Sequence, residues 1–168
     1  MNKVDLIGSL PRNFKAKPWG TKRKIQRLVI HHSATDNQTV YDFNAYHMKY
    51  KGWYSISYIY VIDKDGTVNK CNYEDDYTYH AVGTNYNSIG ICLAGNYDDK
   101  EPPEEQKQAL VELIAELTLK YQIGPDGVVP HRDFKKDPTK YTCPGKKINM
   151  VELRETVRQW LIDTSNYG

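Results

Sequence analysis

The run Leu28-Val29-Ile30, followed directly by His31-His32, constrains this chain more than any other segment. Consecutive branched apolar residues without polar alternation read as a strand covered on both faces. Residues 88–94, Ser-Ile-Gly-Ile-Cys-Leu-Ala, repeat the signal. Such strands need helices packed over them. Residues 39–50 supply one candidate, with Val40, Phe43, Tyr46, His47 and Tyr50 at helical spacing. Residues 55–63 are rich in Ile, Tyr and Val and lead to Asp65-Gly66, a hairpin signal, with a return strand over 67–73. Pro102-Pro103 open the clearest helix, whose stripe is Leu110, Leu113, Ile114, Leu117 and Tyr121 and whose end falls near Gly124-Pro125. Val128-Val129 form a short strand into His131, and a last helix starts at Asn149, where Glu152 completes a capping-box pattern. Its buried face is Leu153, Val157, Trp160 and Leu161. The class is α/β, with a single central mixed β-sheet flanked by helices.

A chain of 168 residues suits one domain. Residues 1–24, polar and broken by Pro11, Pro18 and Gly20, read as an N-terminal arm that wraps the domain formed by residues 25–168. The 23 basic and 21 acidic residues leave a net charge of +2, too balanced to argue for nucleic acid as a partner. A basic N-terminal stretch (Lys15, Lys17, Lys22, Arg23, Lys24 and Arg27) reads as a solvated arm, or as a weak attraction to an anionic cell wall. No signal peptide and no membrane-spanning stretch is visible, which argues for synthesis in the cytoplasm and against membrane insertion. An odd set of cysteines, Cys71, Cys92 and Cys143, argues against a disulfide framework and for metal binding or plain burial. The 14 tyrosines either offer flat contact surfaces for sugar or peptide or lie half-buried on strands.

Catalytic zinc needs about three protein ligands and an open position. His31 closes a strand, His131 follows another, and Cys143 sits in Thr-Cys-Pro-Gly, a turn stiffened by Pro144. Two imidazoles and a thiolate would make such a site, although their separation along the chain leaves spacing alone unable to prove it. Strand alternation sends His31 and His32 to opposite faces, so one of the two can reach a metal.

Six motifs occur in order: Val-Ile-His-His-Ser-Ala-Thr at 29–35, the strand and turn at 57–68, His-Ala-Val-Gly at 80–83, Asn-Ser-Ile-Gly-Ile-Cys-Leu-Ala-Gly at 87–95, His-Arg-Asp at 131–133 and Cys-Pro-Gly at 143–145. Over residues 25–162 the chain resembles the N-acetylmuramoyl-L-alanine amidase family (type 2), which includes bacteriophage T7 lysozyme and the peptidoglycan recognition proteins. The resemblance implies zinc, held by His31, His131 and Cys143 in a surface groove, and peptidoglycan as substrate. It implies an active-site tyrosine at Tyr58, and it places His80, with Asn87 beside it, along the substrate groove. His47 matches nothing catalytic and reads as structural.

One position departs from the pattern. Phage members often carry a lysine two residues before the last metal ligand, where it can stabilise an oxyanion. Here that position is Tyr141, with Lys140 one residue further back as the candidate. The segment between His131 and Cys143 is also longer than in those relatives, adding Lys135-Lys136-Asp137-Pro138.

The expectation is therefore a zinc amidase cutting between the lactyl group of N-acetylmuramic acid and L-alanine. As a phage or prophage endolysin it would wait in the host cytoplasm until lysis and then act on the wall. The alternatives are a non-catalytic peptidoglycan-binding module of the same fold and a regulator that binds a phage RNA polymerase, as T7 lysozyme does. Nothing in the sequence specifies the surface that the last would need.

Overall fold

The computed structural model describes residues 1–21 and 24–165; Lys22 and Arg23 of the basic stretch lie outside the described residues. In chain order the elements are β1 (Lys3–Asp5), β2 (Gly20–Thr21), β3 (Arg27–His32), α1 (Val40–Lys49), β4 (Tyr60–Ile62) and β5 (Val68–Lys70). They continue with β6 (Asp76–Tyr77), β7 (Ser88–Leu93), α2 (Glu104–Tyr121), β8 (Val128–Pro130) and α3 (Met150–Ser165). Six strands form one sheet in the order β1-β5-β4-β7-β3-β8, and β2 pairs with β6 in a separate ribbon. Only the β4–β5 hairpin is antiparallel within the large sheet, so the sheet is mixed.

The two uncharged runs lie side by side in the middle, with His31 opposite Cys92 and Val29 opposite Gly90. Alternation along them serves two cores. Leu28, Ile30, Ile89, Ile91 and Leu93 join the apolar faces of α2 and α3 on one side of the sheet. Cys92, Val61, Cys71 and Ala94 face the other side, where Val40 and Phe43 of α1 and Leu6 and Leu10 of the arm cover them. Each fully buried Ile or Leu contributes roughly 1.5–3 kcal/mol by leaving water.

Two expectations change. The first 21 residues do more than wrap the domain, because β1 pairs in parallel with β5 and closes the edge of the sheet. That pairing uses backbone groups, and all three residues of β1 are exposed, so no apolar alternation announces it. In α1 the buried face is Val40, Phe43, Asn44 and His47, while Tyr46 and Tyr50 point outward. Asn44 takes the inner position because its carboxamide accepts the Ile56 N–H at 2.7 Å and donates to the Pro11 carbonyl at 3.0 Å. The helix starts where Thr39 and Asp42 cap each other reciprocally. Among the described residues only Tyr60 and Tyr77 lie on strands, so half-burial on strands does not account for the tyrosine content. No described helix is long and apolar enough to cross a membrane.

Candidate active site

Two parallel strands end at one place. His31 is at the carboxyl end of β3, and β8, which pairs with β3, runs directly into the single helical turn His131–Phe134. Ligands of open α/β sheets gather outside the carboxyl ends of strands. The third contributor is the loop around Cys143, and several bonds hold it. Arg132 N–H donates to the Cys143 carbonyl at 3.1 Å, and the Arg132 guanidinium reaches the Thr142 carbonyl at 3.3 Å. From the other side, Lys147 N–H donates to the Tyr97 carbonyl at 2.9 Å, and Asp98 accepts from the Thr142 hydroxyl and the Lys146 N–H, both at 3.2 Å. Gly145 is required there. Its φ is +116°, and a Cβ would stand 2.5 Å from the Tyr97 carbonyl oxygen.

These supports bring one ligand atom each from His31, His131 and Cys143 within 4.8 Å of one another. Nδ1 of His31 faces the Cys143 sulfur at 3.9 Å, and the His31 and His131 rings lie 4.4 Å apart. His31 is buried, whereas His131 and Cys143 are only partly buried, so the cluster meets solvent on their side. Burial, with neighbouring His131 and His80 next, holds His31 well below the usual imidazole range. Burial and then Lys135 hold His131 down to about 4. Both imidazoles are therefore neutral near pH 7 and keep a lone pair to give. Burial pushes the Cys143 thiol up to about 11. A thiolate at that position calls for a cation beside it, and with two neutral imidazoles it makes a donor set suited to zinc.

His32 points the opposite way from His31, and its Nδ1 accepts the Tyr97 N–H at 3.2 Å. Tyr58 sits beside the donors with its ring 5.1 Å from that of His31. Burial, then the adjoining thiols Cys92 and Cys143, raise its phenol well above 10, so it keeps its proton. From Tyr58 a chain of rings runs outward through His47 at 5.6 Å and Trp53, and Trp53 lies 5.8 Å from Tyr79, which stacks edge-on to Trp19 at 5.0 Å.

Three of the expected site residues sit elsewhere than foreseen. Lys140 is largely exposed and pairs with Asp137 at 3.0 Å. The lysine whose charge reaches His31, His131 and Cys143 is Lys135, held with its ammonium 5.3 Å over the Tyr141 ring. Lys135 belongs to Lys135-Lys136-Asp137-Pro138, the segment that reads as additional to the family pattern. His80 and Asn87, expected along an open groove, are both interior. Asn87 packs its carboxamide 2.7 Å from the Thr84 hydroxyl and 2.9 Å from the Gln26 carboxamide. His80 lies behind His31, with its Nδ1 3.1 Å from His31 Nε2.

The fold and this cluster define the class first: an α/β domain that gathers side chains able to hold a metal beside the ends of two parallel strands. The N-acetylmuramoyl-L-alanine amidase family matches residues 21–146, and the chain belongs to that family and is an amidase. An endolysin of Klebsiella phage KP32 is 36% identical over 115 residues, 63% of this chain and 76% of the relative. An endolysin of Enterobacteria phage K11 is 34% identical over 163 residues, 91% of this chain and 99% of the relative. Among solved structures, the endolysin N-acetylmuramoyl-L-alanine amidase LysCS from Clostridium intestinale URNW superposes with a TM-score of 0.81 at 26% identity, covering 94% of this chain and 95% of that one.

Proposed function

We propose that this amidase is a zinc-dependent endolysin that hydrolyses the amide bond between the lactyl group of N-acetylmuramic acid and L-alanine in peptidoglycan. The observation that carries the reading is the convergence of His31, His131 and Cys143 from three separate segments onto one point open to solvent.

Those three side chains would hold the ion, and the chemistry it supplies when bound is Lewis acidity at the scissile carbonyl together with activation of a water. Tyr58, protonated and partly buried beside His31, donates a hydrogen bond to the carbonyl oxygen as negative charge grows there. Lys135 adds positive charge from the solvent side, the part first assigned to Lys140. The oxygen of one water bonds to the carbonyl carbon, the C–N bond breaks, and a proton passes to the amine of L-alanine. The edge-to-face rings of Trp53, Tyr79 and Trp19 give the sugar and stem peptide an amphipathic surface that leads to the reacting atoms.

Digestion of purified cell walls tests the reading. New N-terminal L-alanine without new reducing sugar ends is expected, and Cys143→Ser removes zinc and lysis together. New reducing ends, or lysis by metal-free protein, would overturn it. Wall binding without any cleavage would instead identify a binding module.

A further inference from the structure

We propose that His80 and Ser88 form a hydrogen-bond relay that fixes the tautomer and orientation of His31, leaving Nδ1 as its ligating nitrogen. The relay rests on the zinc reading for its purpose but not for its geometry.

The argument starts at a group that can act in only one way. The Thr84 carbonyl cannot donate, and it lies 2.6 Å from the Ser88 hydroxyl, so Ser88 spends its single proton there. The Ser88 oxygen is then left as an acceptor toward Nε2 of His80, 3.1 Å away. Nε2 of His80 therefore carries a hydrogen, and in the neutral ring Nδ1 holds the lone pair. That lone pair faces Nε2 of His31 at 3.1 Å, so His31 is protonated on Nε2. Its Nδ1 is unprotonated and already faces the Cys143 sulfur at 3.9 Å. One backbone carbonyl thus sets the tautomers of two imidazoles in sequence.

The strand that supplies the hydroxyl also supplies the room. Ser88 and Gly90 are two apart on β7 and so face the same side of the sheet. A Cβ at Gly90 would stand 2.7 Å from Cγ and 2.8 Å from Nδ1 of His80, inside the ring's own space. The His80 ring occupies the space a Cβ would take, so this placement requires glycine at position 90. Ser88 is fully buried and His80 nearly so, which protects both bonds from competition by water. The motif Asn-Ser-Ile-Gly and the histidine of His-Ala-Val-Gly are thereby one device. Ligating histidines are generally oriented by an acceptor on their second nitrogen, and loss of that acceptor typically weakens metal binding about 10–100-fold.

Long-range ¹H–¹⁵N correlation spectra of the zinc-loaded and metal-free full chain would read both tautomers directly. His31 and His80 should each carry a single proton, on Nε2. A proton on Nδ1 of His31, or on both nitrogens of His80, overturns the relay. Zinc affinity measured by chelator competition gives a second readout. His80→Leu and Ser88→Ala should bind zinc about 10–100-fold more weakly. His80→Asn, whose Oδ1 stands where Nδ1 stood, should recover most of the loss. Circular dichroism and urea melts of the metal-free variants separate misfolding from lost affinity. Unchanged affinity in folded His80→Leu overturns the relay and leaves the zinc reading standing. Absence of zinc binding by the unmodified chain overturns the zinc reading, while the tautomers of the metal-free protein still test the relay.

Discussion

Nδ1 of His32 accepts the backbone N–H of Tyr97 at 3.2 Å, so the residue next to a candidate ligand holds the segment that anchors another. Tyr97 is fully buried, its hydroxyl lies 2.5 Å from the Gln106 carboxamide oxygen, and its carbonyl holds the Cys143 loop through Lys147. Burial keeps His32 below the usual imidazole range and so able to accept. His32→Ala leaves the Tyr97 N–H without its acceptor, which costs about 1–3 kcal/mol. Urea denaturation of the metal-free protein should show that loss, and zinc affinity should fall with it as the Cys143 loop loosens. Unchanged stability would mean the contact is incidental.

Chelation should abolish wall lysis, and added zinc should restore it. An ion bound by the folded chain alone also stabilises it, by about 2.7 kcal/mol at 100 times its Kd. For a chain of this size that corresponds to a fall in Tm on chelation of roughly 5–10 °C. A Tm that ignores chelator, with activity lost, would place the ion outside the fold.

Lys135→Ala should lower kcat/KM for wall fragments about tenfold to a hundredfold, somewhat below what rigid oxyanion donors contribute because this lysine is near the surface. Lys140→Ala should leave kcat/KM unchanged, since its ammonium is committed to Asp137 at 3.0 Å. The reverse pattern would restore Lys140 to the role first expected of it.

His47 gives a pH dependence of stability. Its Nδ1 accepts the Ser57 N–H at 3.2 Å, and burial lowers it from 6.5 to about 4. The unfolded chain therefore binds the proton first as pH falls. Stability from this residue is complete above about pH 6.5 and drains away toward pH 4, up to roughly 3 kcal/mol in all. Denaturation in chelator at pH 7.5 and pH 5 should show the drop, and His47→Asn, which keeps an acceptor for Ser57 but cannot titrate, should make it smaller by this residue's share, leaving the part due to His31, His32 and His131. Equal slopes for both proteins would exclude His47 as the source.

Residues whose role depends on one strand or one helix were legible from the sequence. The uncharged runs at Leu28 and Ile89 announce the central strands, and the stripe from Leu110 to Leu117 announces α2. Alternation alone separates His31 from His32. What escaped depends on partners distant along the chain. β1 is visible only in its backbone pairing with Val68, Asn69 and Lys70. His80 is buried because a glycine ten residues later gives it space, a fact that spacing does not encode. Lys140 stands three residues before Cys143, one further back than the pattern asks, and pairs with Asp137, while Lys135 is the lysine whose charge reaches the donors.

The three donors lie at positions 31, 131 and 143, so an ion that joins them ties the first third of the chain to its last quarter. It then acts as a reversible cross-link, closing a loop of more than a hundred residues in a chain whose cysteines form no disulfide. Durability and catalysis would share one fastener. A protein released among proteases in a zinc-poor medium would lose its working life along with its activity, and one kept loaded would resist both digestion and unfolding for the same reason.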